Sequence, residues 1–259
     1  GGGSGGTTST SASSGGSGGG TTTSSSSSGG TGGSAPTETA LVFAGSAAAV
    51  LGGEYHPGGA WAVSSPGVGT PHRPAAALLD ESNGVGLYRA PADGSLLFVK
   101  WAAGTFSAPL AIGNLVKAMD GPAMVRWNSG AAVAYHAPDF KHYLAIYQGP
   151  NMGWSPVAEP ILANNVHSFG PSAPALASVQ GQLLVVYAGD NGNLYDQKRV
   201  AGVWGTANGH GVDGTIDLTP AIVALPIGPS EAMVAYVRKT DAQVMFTLRN
   251  GGAWTAPAP

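Results

Sequence analysis

The chain has 259 residues, with 11 Lys and Arg against 14 Asp and Glu and no cysteine. A formal charge of −3 is too small and of the wrong sign for general nucleic-acid binding, and the missing thiols exclude disulfides, thiolate metal sites and a cysteine nucleophile. Only 10% of residues are charged while 42 Gly and 19 Pro punctuate the chain, a composition suited to many turns between short strands.

Residues 1–35 are Gly, Ser, Thr and Ala alone. Such a tract cannot bury enough apolar surface to offset its ordering entropy, so a disordered linker or stalk is predicted, with a reach of roughly 30–35 Å. Residues 36–259 are predicted to form one all-β domain. No run of 18 apolar residues predicts a membrane-spanning helix.

From there a phrase of about 48 residues occurs five times. Each copy places an aromatic on an apolar strand, at Phe43, Tyr88, Tyr135, Tyr187 and Tyr236, and a second aromatic after a Gly-bearing stretch, at Trp61, Phe106, Trp154, Trp204 and Trp254. The gap between the two is 18, 18, 19, 17 and 18 residues. Short strands at this period predict a five-bladed β-propeller of four-stranded antiparallel blades, with almost no helix.

Within a copy, strand A follows a Pro and is rich in Ala, as at Pro74, Pro122, Pro174 and Pro220. Strand B carries the first aromatic (85–89, 131–136, 183–187, 233–237), and strand C follows a turn (96–101, 143–147, 193–198, 243–248). Strand D begins at the second aromatic. The B–C turns hold Asp93-Gly94, Asp139, Asp190-Asn191-Gly192 and Asp241, read as turn chemistry in which Asp and Gly supply positive φ. The first copy lacks a strand A, so its blade is expected to be incomplete.

The strand-turn-strand-Gly-Trp rhythm over residues 39–259 resembles β-propeller lectins of the tachylectin type and of the fucose-binding type. Sialidase-type propellers are a second likeness, although their Asp-box survives only as fragments at Asp93-Gly94-Ser95 and Asp190-Asn191-Gly192. The resemblance implies a carbohydrate-binding module with shallow sites between blades. The alternatives are a protein-interaction scaffold and, last, a hydrolase with a site at the channel mouth. The Gly/Ser/Thr tract resembles the spacer of bacterial surface lipoproteins, which implies a secreted or surface-tethered protein, extracellular or held at a periplasmic or outer membrane by a lipid anchor upstream. Its expected partner is a glycan or a surface protein.

Trp61, Trp154, Trp204 and Trp254 recur at one position and are expected to fill the space between blades. Trp101 and Trp127 do not recur, which makes them better candidates for ligand contact. His72 and Arg73 precede strand A of the second blade and are expected to ring one mouth of the channel, where Asp120 or Asp217 faces Arg73. With Arg89 and His136 they complete the candidate ligand-binding set: Trp101, Trp127, His72, Arg73, Arg89 and His136. His136 and His142 are expected to approach across one hairpin, but the spacings of His136, His142, His167 and His210 form no metal motif. No catalytic pair, phosphate loop or cofactor is predicted, since none of the five Glu sits in a recognisable catalytic phrase.

Overall fold

The computed structural model describes residues 40–45, 49–55, 62–70, 72–102, 104–113, 116–161, 172–210, 219–225 and 230–259. The predicted stalk, Trp61, His167 and Asp217 lie outside them.

Five antiparallel sheets follow one another along the chain, with no helix among the described residues. The first holds β1 (Ala40–Gly45), β2 (Ala49–Tyr55) and β3 (Ala62–Val68). The second holds β4 (Ala75–Asp80), β5 (Asn83–Arg89), β6 (Leu96–Ala102), β7 (Thr105–Phe106) and β8 (Leu110–Ala111). The third holds β9 (Ala123–Trp127), β10 (Gly130–His136), β11 (His142–Tyr147) and β12 (Glu159–Ile161). The fourth holds β13 (Ala175–Val179), β14 (Gln182–Ala188), β15 (Leu194–Val200), β16 (Val203–Trp204) and β17 (Asn208–His210). The fifth holds β18 (Ala221–Ala224), β19 (Ala232–Val237), β20 (Val244–Asn250) and β21 (Ala253–Trp254). Strands β1, β4, β9, β13 and β18 pack side by side in that order, so the sheets succeed one another around an axis as the blades of a propeller. Among the described residues the first blade has three strands, and β1, which carries Phe43, is its inner strand, so the inner strand expected to be missing is present and Phe43 lies on it and not on a second strand.

The blades interlock through apolar wedges, because side chains alternate across each strand and both faces of a middle blade are covered. Tyr88, Tyr135, Tyr187 and Tyr236 are each buried against the preceding blade. Phe106, Trp154, Trp204 and Trp254 pack half-buried on the same four cores, the space-filling place expected for the recurrent Trp. One seam differs. Among the described residues, no comparable packing joins β18 to β1. The forward face of the fifth blade leaves Val223 48%, Val244 62% and Phe246 38% exposed, whereas Ala177, Leu194 and Asp196 at the same register of the fourth blade are buried.

The B–C turns correct one detail of the reading. Asp93, Asp139, Asn191 and Asp241 each accept, through Oδ1, a hydrogen bond from the backbone N–H two residues on. The positive φ belongs to the next residue: Gly94 (78°), Phe140 (62°), Gly192 (77°) and Ala242 (57°). In the fourth blade it is therefore Asn191, not Asp190, that makes the turn.

The strand that begins at the second aromatic spans two residues in blades two, four and five, and a repeated contact ends it. After the second aromatic comes Ser107, Ser155 or Thr255, whose backbone N–H donates to a strand C carbonyl while its hydroxyl accepts that same residue's N–H. The hydroxyl takes the place of a ladder partner and ends the pairing. The fourth blade has Gly205 instead, which keeps the backbone bond to the Lys198 carbonyl and has no hydroxyl for its N–H. An added Cβ there meets only that carbonyl, at 3.4 Å. Gly205→Ser is therefore expected to raise stability by about 0.5–1.5 kcal/mol, read as a higher urea midpoint.

Candidate functional site

Four of the six candidate residues gather at one end of the blades. Gly121 brings the run into β9 against the run into β4, since a Cβ on it would lie 2.1 Å from the Arg73 carbonyl oxygen. Asp120 is thereby set beside His72 and Arg73. Its Oδ2 faces His136 Nδ1 at 3.3 Å. Arg89 Nε donates to the Ala118 carbonyl at 2.6 Å, and Arg73 Nη2 to the Pro174 carbonyl at 3.5 Å. His136 and His142 meet edge to face across their hairpin with ring centres 5.2 Å apart, and His142 Nε2 bonds the Ser172 carbonyl at 3.3 Å. The lead-in segments of blades two, three and four thus converge on one polar cluster at the channel mouth.

Burial dominates its electrostatics. Desolvation lowers the pKa of His72, with Arg89 adding to the effect and Asp120 opposing it. Burial also works against the charge of Arg73, and Asp120 favours it. His142 is pushed from 6.5 down to about 3 by burial and by the neighbouring His136. It is neutral when folded and protonates once unfolded, so unfolding takes up a proton between those two pH values. Its contribution to stability is complete above about pH 6.5 and declines as pH falls toward 3, with a slope of about 1.4 kcal/mol per pH unit. Urea midpoints measured across that window are expected to drop steeply, and His142→Gln to flatten the drop.

The other two candidates lie elsewhere. Trp101 is fully buried in the core between blades one and two. Trp127 ends β9 at the opposite end of the blade from the mouth and packs half-buried on the core between blades three and four.

That opposite end holds residues the sequence reading missed. The residue paired with the second aromatic, or bridged to it, is Trp101, Tyr147, Arg199 and Arg249 in successive blades. It is aromatic in blades two and three and a cation in blades four and five, so the wedges are chemically unequal. Between blades two and three the wedge is Phe98, Tyr147 and Trp154, with centroids 5.2–6.2 Å apart. Between blades four and five it is an ionic network: Asp196 pairs with His210 and accepts from Trp254 Nε1 at 3.0 Å, while Arg249 pairs with Glu231 and lies 3.9 Å from Asp196. Asp196 and Arg249 are buried there.

The wedge between blades three and four combines both features and reaches solvent. Glu159 on β12 accepts a two-pronged hydrogen bond from Arg199 on β15, at 3.1 and 2.7 Å. Their side chains are 35% and 17% exposed. Trp204, the strand partner of Arg199, packs half-buried on the core between the two blades, as do Trp127 and Ile146, and among the described residues the Trp204 Nε1–H is buried without an acceptor. A carboxylate and a guanidinium in fixed register bind adjacent hydroxyls, and an indole packs the apolar face of a sugar ring. The available signal was an Arg five residues before the recurrent Trp in blades four and five, where blade two has Trp101.

No protein-family model and no curated protein matches the chain. Solved structures do. The lectin BP39L from Burkholderia pseudomallei aligns with a TM-score of 0.66 at 16% identity, over 85% of this chain and 66% of its own. Aleuria aurantia lectin, solved in complex with alpha-methyl-L-fucoside, aligns at 0.63 and 16% identity over 86% of this chain and 73% of its own. The Hadza microbial sialidase Hz136 aligns at 0.55 and 10% identity over 85% of this chain and 55% of its own. At these identities the likeness is one of fold, and the class it defines is the β-propeller.

Proposed function

We propose that the protein is a carbohydrate-binding module of the propeller-lectin kind, with its site in the wedge between blades three and four. The observation that carries the reading is the two-pronged, part-exposed Arg199–Glu159 pair, with Trp204 as the strand partner of Arg199. Support comes from the fold shared with a lectin crystallised with a fucoside. A glycan at a cell surface is the partner this implies, with the protein secreted or surface-tethered.

Titration with α-methyl-L-fucoside and a panel of neutral monosaccharides tests it. At least one sugar is expected to bind, and Arg199→Met to weaken it at least about tenfold, the scale of losing one desolvated charged contact. Binding unchanged in Arg199→Met would remove the wedge from the proposal. The hydrolase reading needs two carboxylates held near each other at the channel mouth, where Asp120 is turned to His136. The scaffold reading has one observation in its favour, the exposed apolar strip of Val223, Val244 and Phe246. It predicts sugar-independent association of the chain, measurable by light scattering.

A further inference from the structure

Arg73 stands half-buried at the channel mouth with no ion-pair partner among the described residues. Its guanidinium carries five N–H donors and, among the described residues, makes a single long hydrogen bond, the 3.5 Å contact to the Pro174 carbonyl. Among the described residues, no carboxylate lies within ion-pair distance of it. Asp120 is the acid that acts on it through space, but its Oδ2 is turned to His136. Arg89 adds a second guanidinium, anchored through Nε alone to the Ala118 carbonyl. His72 feels both Arg89 and Asp120, and Arg73 feels Asp120, so two guanidinium groups lie around a mouth whose carboxylate His136 already engages.

A half-desolvated guanidinium is costly unless something completes it. The surroundings are stiff, because the Gly121 backbone lies directly against that of Arg73 and leaves no room for a Cβ. A stiff cation with free N–H donors is preorganised for a planar or tetrahedral oxoanion, which takes two parallel hydrogen bonds and balances the charge. A neutral hydroxyl, with one oxygen and no charge, supplies neither. We propose that the channel mouth is an anion-binding site, anchored by Arg73 with Arg89 and His72 beside it, which takes the carboxylate or sulfate group of a small ligand. The site lies at the far end of the blades from Arg199 and does not depend on the sugar-binding reading.

Isotope-labelled full-length protein, titrated separately with sodium glucuronate, sodium sulfate and glucose, provides the test, read on the ring signals of His72 and His136. Glucuronate, sulfate or both are expected to move these signals in a saturable way, and which of them does so identifies the anion. Glucose is expected to leave them in place. Arg73→Gln is expected to weaken the anion at least about tenfold and Arg73→Lys to retain part of the affinity, the order for a forked charge contact. Arg199→Met is expected to leave anion binding unchanged. Both Arg73 variants are expected to melt at or above the parent temperature, since a charge that is poorly satisfied in the free protein stabilises little. The proposal is overturned if neither anion moves the signals at roughly 10 mM, well above a millimolar dissociation constant, if glucose moves them equally, or if folded Arg73→Gln binds as the parent does.

Discussion

Arg249→Met is expected to destabilise the folded chain by about 3–5 kcal/mol, among the largest effects of any single substitution. The guanidinium is buried between Glu231, with which it pairs, and Asp196, whose Oδ2 lies 3.9 Å from Arg249 Nε. Removing it leaves two carboxylates in the wedge between blades four and five with one cation fewer. His210 still faces Asp196, so that carboxylate keeps a partner, while Glu231 is stranded beside an apolar side chain. The cost comes from the uncompensated charge and not from the worth of the pair itself. The double variant Arg249→Met, Glu231→Met is therefore expected to recover a large part of the loss. Equilibrium urea unfolding of the single and double variants measures both. Additive losses would contradict the account.

Gly130→Ala is expected to cost about 3 kcal/mol or more, through geometry and not charge. A Cβ at Gly130 would fall 1.7 Å from the Tyr147 carbonyl oxygen and 2.8 Å from its carbonyl carbon. These atoms cannot retreat cheaply, since Tyr147 pairs with Ala131 on β10 and bridges to Trp154 on its other side. Relief requires opening the third blade at the strand that separates its two wedges. Gly205→Ala is the control, because its Cβ meets only an ordinary 3.4 Å contact. Thermal melts of the two variants are expected to differ widely. Equal melts would mean that the third blade yields more easily than its packing implies.

The architecture was legible because each blade repeats the same demand. Tyr88, Tyr135, Tyr187 and Tyr236 occupy one place against the preceding blade, so their spacing alone carried the fold. The channel-mouth cluster was legible for a related reason. His72, Arg73 and Asp120 share the lead-in to an inner strand, and lead-ins converge at an axis. What escaped the reading was pairing across blades. Glu159 and Arg199 are 40 residues apart and join only through the packing of two sheets, and neither belongs to a short motif. Arg249 and Asp196 escaped in the same way. Trp101 shows the opposite failure. Its lack of recurrence suggested a ligand contact, but the same register position is filled by Tyr147, Arg199 and Arg249, so the place recurs while the residue varies. The length of the outer strands was not legible, because a Ser or Thr hydroxyl that ends a ladder looks, in sequence, like any other small polar residue.

The most direct measurement is a glycan array probed with the full chain and with Arg199→Met side by side. The account predicts that the parent binds a defined subset of glycans, that the corresponding free monosaccharide competes, and that the variant loses the signal while keeping its fold. A parent that binds nothing at high surface density, or a variant that reproduces the parent's pattern, would contradict it.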